Sequence, residues 1–198
     1  MTRPSSSRDG FVLIEVLVAL SVVAVMAGMM AGVFGQLNSV ARLREQVIVR
    51  AELEGALSHL ARTLSAAKLA RLPDSDEEEN IKMFDGQATQ MRFAAVTRQG
   101  FYSLALRDVD IHIDDQAAAP RLVQSMAMRR SQDAAEATRS TIIILDSFDK
   151  IDFSYSEDGA SFMSSFSKPG ILPKMVKIRI SRSVAGKTVS ATTIARVS

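Results

Sequence analysis

From Phe11 to Leu37 the sequence carries a single charge, Glu15, and from Val16 to Gly35 it carries none. At a helical rise of about 1.5 Å per residue the uncharged part alone spans roughly 30 Å, the hydrocarbon thickness of a bilayer. A run that long and apolar on every side has no soluble face, so it predicts a helix that crosses a membrane. A cleaved secretory signal fits less well, because its apolar region is shorter and ends at a small-residue site. A plain signal anchor accounts for the length but not for Glu15. A carboxylate one turn inside an apolar helix costs about 2 kcal/mol or more near the bilayer centre, less toward the interface, and so marks a function.

The remainder of the 198 residues is more polar and long enough to bury one core. With 24 Lys and Arg against 22 Asp and Glu, the net charge of +2 gives no basic face for nucleic acid. The absence of Cys excludes a disulfide framework and Cys-ligated metals, and it leaves the redox compartment open. Arg3 and Arg8 before the apolar run are balanced by Arg42, Arg44 and Arg50 after it, so charge alone sets no orientation.

Gly10 followed by Phe11, Glu15 as the fifth residue after the glycine, and then an unbroken apolar helix resemble the class III signal of type IV pilins and type II secretion pseudopilins. The resemblance implies a leader of residues 1–10 cut after Gly10 by a prepilin peptidase on the cytoplasmic side. It implies that the same enzyme methylates the new N-terminus, Phe11, and that residues 11–37 stay as a transmembrane and assembly helix in a bacterial inner membrane. It also implies that Glu15 meets the terminal amine of a neighbouring subunit. Asp9 stands where a basic residue is common, while Arg3 and Arg8 keep the leader net positive. The physics agrees with these roles. Glycine lets an extended backbone approach a protease closely, and a carboxylate in an apolar layer is tolerated when an ammonium pairs with it.

Good helix formers continue from Gln36 without a proline, predicting one helix through residues 38–72 that Pro73 ends. Two apolar stripes follow each other along it: Val40, Leu43, Val47 and Ala51, then Val49, Leu53, Leu57, Leu60 and Leu64. At about 100° per residue the second is rotated from the first by roughly a third of a turn. The second stripe is expected to pack on the protein's own sheet and the first on other helices of an assembly, although a helix curving around one core gives a similar pattern. His59 beside the second stripe reads as a boundary residue.

Asp74, Asp76, Glu77, Glu78 and Glu79 form an acidic connector. A calcium loop would alternate its ligands and place a glycine for the sharp turn, so a solvated loop is the better reading. Beyond it the period changes to two, with strand candidates at 90–96, 102–113, 122–128, 141–145, 150–156, 175–183 and 188–197. The last two read as a hairpin around Ala185-Gly186-Lys187. Residues 73–198 are thus expected to form an antiparallel sheet domain resting on the helix, an α+β, pilin-like fold. The Ser-rich stretch from Gly159 to Gly170 reads as an irregular loop. His112, between Ile111 and Ile113, is expected on the polar face of its strand, and Asp108, Asp110, Asp114 and Asp115 on a solvated one.

Met91-Arg-Phe93, the strand Leu104 to Ile113, Leu122-Val123, the run from Ile144 through Asp146, Phe148 and Ile151 to Tyr155, and Leu172-Pro173-Lys-Met-Val176-Lys-Ile178 are similar to the J type of minor pseudopilin, the general secretion pathway protein J family. That resemblance implies a structural subunit of the pseudopilus tip, without cofactor or metal. Its partners would be the I, K and H types of minor pseudopilin, the major pseudopilin and the prepilin peptidase. A minor pilin of a type IV pilus or DNA-uptake machine is the alternative in the same class. A membrane-tethered periplasmic enzyme or binding module is the rival from another. With two histidines, no Cys, no G-x-S-x-G turn and no glycine-rich phosphate loop, the sequence offers no catalytic residues.

Overall fold

The computed structural model describes residues 8–73, 81–99, 103–116, 118–129 and 139–197, with side chains except at 8–12, 33–43, 99 and 103. The leader residues 1–7 and the acidic connector 74–79 lie outside the described residues. The chain divides into two units, Met1–Glu45 and Gln46–Ser198. The fold class is α+β, with one helix, α1 (Arg8–Ser65), and nine strands among the described residues. The strands are β1 (Ala67–Lys68), β2 (Phe84–Gly86), β3 (Gln90–Gln99), β4 (Ser103–Asp114), β5 (Arg121–Met128), β6 (Arg139–Asp146), β7 (Lys150–Ser156), β8 (Met175–Val184) and β9 (Lys187–Arg196).

All pairings are antiparallel. One sheet has the order β1-β3-β4-β5-β6 with β2 also on β3, and the other has the order β7-β8-β9. Period-two alternation explains why these segments become strands with one buried face. Met91 and Phe93 on β3, Val109 and Ile111 on β4, Ile151 and Phe153 on β7, and Val176, Ile178 and Ile180 on β8 point into one core. The hairpin at Val184↔Lys187 turns through Ala185 and Gly186, both with positive φ, the geometry of a tight hairpin of the primed type.

In the second unit α1 supplies the other side of that core. Val49, Leu53, Ala56, Leu57, Leu60 and Leu64 are buried at the spacing of one helical face. Each buried leucine contributes about 1.5–3 kcal/mol of transfer free energy. Two polar contacts fix the helix on both sheets: Arg182 Nη1 of β8 donates to Glu52 Oε2 at 2.9 Å, and His59 Nε2 lies 2.7 Å from Gln124 Oε1 of β5. His59 is half-buried at the edge of the apolar face, as its sequence context predicts.

The helix does not reach Leu72. It ends at Ser65, and Ala67-Lys68 pair with Ala95 and Ala94 instead, with Val96 N–H donating to the Ala66 carbonyl at 3.0 Å. Ala66 and Ala67 are good helix formers, so pairing with the sheet has overridden local propensity. The folded sheet domain accordingly takes in residues before 73.

The Gly159–Gly170 stretch is irregular, as expected, but it also joins the two sheets. Met163 forms a bridge with Tyr155 of β7, Phe166 one with Gly86 of β2, and Pro169 one with Lys82. Phe166 is buried and meets Phe84 edge-on at 6.1 Å, while Lys177 Nζ lies 4.4 Å over the Phe162 ring.

Candidate functional site

Leu13–Gly32 is long and apolar enough to cross a membrane, 20 residues with a mean hydropathy of 2.4 and no part of it buried. Every side chain in it is exposed, and large apolar ones such as Leu13, Leu17, Val22 and Met29 project on all sides. Exposure of that kind is stable only in a nonaqueous surrounding or under other helices. Ser21 removes its own polarity by donating its hydroxyl to the Leu17 carbonyl at 2.8 Å, one turn back. Glu15 is the single ionisable residue in the segment, and it is exposed.

Gly10 and Phe11 fall within α1, which begins at Arg8, and their side-chain surroundings lie outside the described residues. The same is true of Val40 and Leu43 from the first stripe. Val47 is described and is 67 % exposed, with Ile48 beside it at 49 %, whereas Leu53, Leu60 and Leu64 are fully buried and Leu57 nearly so. The second stripe therefore packs on the protein's own sheets, and Val47 of the first does not.

The side of the larger sheet turned away from α1 carries the acidic residues of β4. The register sets Arg92 opposite Asp110, and Gln90 Nε2 donates to Asp110 Oδ1 at 3.1 Å. His112 lies on this polar face, its Nδ1 3.4 Å from the same oxygen. Asp108 is not the solvated residue its alternation suggests. Its Oδ1 accepts from Arg129 Nε at 2.7 Å, and Arg129 also donates to the Arg71 carbonyl, tying residues beyond β1 to this face. No pattern in the sequence marks that tie, since Arg129 follows a strand and Arg71 precedes a turn.

An open cleft of about 410 Å³ is lined by Glu157, Asp158, Ser161, Met163, Lys168 and Lys174. Lys168 is paired with Glu157 there. Asp158 accepts hydrogen bonds from the Ser161 and Ala160 N–H groups and from the Ser156 hydroxyl, and these hold its carboxyl down at about 2. Those bonds close a turn on itself, which makes Asp158 a loop-forming group. Among the described residues no His, Asp and Glu side chains gather in a group able to hold a metal.

No family model and no curated protein matches the chain.

Proposed function

We propose that this chain is a pilin-like structural subunit anchored in the bacterial inner membrane, and within that class a minor pseudopilin of the J type in a type II secretion system. The observation that carries the reading is Glu15 as the lone charge in the exposed apolar span Leu13–Gly32, which follows closely on Gly10-Phe11. In this reading a prepilin peptidase cuts between Gly10 and Phe11 and methylates Phe11, and the helix remains as anchor and as filament contact.

The mechanism follows from the cost of an unpaired charge. Alone in the bilayer, Glu15 is unfavourable by about 2 kcal/mol or more toward the centre. Beside the terminal ammonium of a neighbouring Phe11 the two charges neutralise each other, and only one axial register between subunits brings them together. The pair thus selects the register while apolar contacts supply the affinity. Val47 and Ile48, farther along α1, are exposed apolar residues, and the buried Leu53–Leu64 stripe anchors the helix to its own sheets.

Affinity capture of the cut chain from membranes, with identification of the accompanying proteins, tests the assignment. Recovery of the I, K and H types of minor pseudopilin supports the J type, and recovery of type IV pilus subunits instead overturns it.

A further inference from the structure

The larger sheet ends at β6 on one side and at β1 and β2 on the other, and the smaller ends at β7 and β9; the β7 edge already bonds Ala88 and Met163. An edge strand presents unpaired N–H and C=O groups that another strand can take up, and native edges are commonly blunted by charge, Pro or bulges. Along β9 the exposed positions Lys187, Thr188, Ser190, Thr192 and Arg196 are polar or charged, and Ile194, 54 % exposed, is the apolar exception. β6 reads RSTIIILD, with no charge from Ser140 to Leu145. Ile142, opposite Gln124, is 39 % exposed, and Ile143, opposite Val123, is 54 % exposed, so apolar surface lies on both faces of this edge.

A bulge sets which face each end of β6 occupies. Leu145 pairs with Leu122 and Ile143 with the next residue, Val123, so Ile144 is extra. In a regular strand Arg139 and Asp146, an odd number of positions apart, would point to opposite faces. The extra residue puts Arg139, Thr141, Ile143 and Asp146 on one face and Ser140, Ile142 and Leu145 on the other.

We propose that β6 pairs with itself, a second copy of this chain adding its own β6 antiparallel about a twofold axis at Ile142. Directly opposed residues in an antiparallel pair share a face. Centred on Ile142, the pairing sets Ile142 against Ile142, Thr141 against Ile143, Ser140 against Leu145 across the bulge, and Arg139 against Asp146. The twofold repeats each contact, so two Arg–Asp pairs bracket an uncharged centre. Asp146 meets Arg121 within its own chain through Oδ1 at 2.7 Å, and a carboxylate has a second oxygen for a second cation. Charge complementarity in a register that also matches the faces is what selects a second copy as the occupant. The proposal stands apart from the pseudopilin reading.

The chain has no Cys, so single cysteines report the contact in the full chain in membranes. Opposed Cβ atoms in such a pair are about 4.5–5.5 Å apart, close enough for a disulfide after small adjustment. Under mild oxidation Ile142→Cys is expected to give a reducible band of twice the chain mass, and Thr192→Cys on β9 to stay monomeric. Coexpressed Thr141→Cys and Ile143→Cys chains are expected to link to each other, which covers the case in which the first variant is poorly folded. Arg139→Glu in the Ile142→Cys background should weaken association about tenfold. The proposal is overturned if neither cysteine set links, if Ile142→Cys links only to a chain of different mass, or if Arg139→Glu changes nothing.

Discussion

A Cβ added to Gly86 would lie 2.5 Å from Cζ of Tyr155, so this ring rests on bare backbone where the two sheets are stitched together. The Gly86 N–H donates to the Phe166 carbonyl at 2.7 Å and its carbonyl accepts from Phe166 at 2.8 Å, which leaves the strand no room to retreat. Tyr155 is fixed as well, by donating its hydroxyl to the Gln87 carbonyl at 2.6 Å. Gly86→Ala is therefore expected to destabilise the domain by about 1–3 kcal/mol through overpacking. The shift of the urea midpoint at unchanged slope measures it.

The two stripes of α1 differ in what they touch, and truncation separates them. Leu60→Ala, at a fully buried position, should cost about 2–5 kcal/mol. Val47→Ala, at a position 67 % exposed, should change stability by less than about 0.5 kcal/mol. Thermal melting of both variants in detergent checks the contrast. If Val47→Ala melts as low as Leu60→Ala, Val47 belongs to the protein's own core.

At the hairpin between β8 and β9, Ala185 holds φ 49 and Gly186 φ 75. A left-handed conformation costs a non-glycine residue about 1 kcal/mol, and Asn tolerates it better. Ala185→Asn should raise stability by up to about 1 kcal/mol, read as a higher melting temperature. Gly186→Val should lower it.

Asp158 carries a pH signature. Its folded value of about 2 lies below the ordinary 3.8, so its contribution to loop order is present above the ordinary value and is lost as pH falls through about 2. A carboxyl NMR titration should place the Asp158 midpoint near 2. The Ala160 and Ser161 amide resonances should move with it, and in Asp158→Asn that movement should be absent.

Long alternating strands were legible in the sequence because burial of one face leaves a period of two. Ile151-Phe153-Tyr155 and Val176-Ile178-Ile180 are the clearest cases, and β7 and β8 occupy those positions. The membrane-length helix was legible for the opposite reason, an apolar run with no polar face at all, and the α+β class from the change to a period of two beyond it. β1 and β2, two and three residues long, are too short to carry a period. The helix end at Ser65 was hidden because only the partner strand β3 distinguishes Ala67 from one more helical alanine. Phe166 and Met163 looked like loop residues because isolated bridges leave no repeat. The Asp108–Arg129 pair depends on register across two strands, which composition does not contain. Of the candidate site, Glu15 was visible as a charge out of place in an apolar run, and Val47 as a position off the buried stripe.

If Glu15 pairs with an ammonium in the membrane, Glu15→Ala should leave cleavage intact and reduce incorporation into an assembly. Coprecipitation with partner subunits from membranes should fall about tenfold or more, the scale set by about 2 kcal/mol of lost pairing. Unchanged coprecipitation would remove the pairing role.

In the proposed function residues 1–10 are an address and Phe11 begins the working protein. Coexpression of the full chain with a prepilin peptidase, followed by intact-mass and N-terminal analysis of the membrane-bound product, tests it most directly. The expected product lacks Met1 to Gly10, starts with N-methylated Phe11 and stays in the membrane fraction, and a Gly10→Val variant is not shortened. A wild-type chain of unchanged mass, or one cut downstream of the apolar helix and released from the membrane, would contradict it.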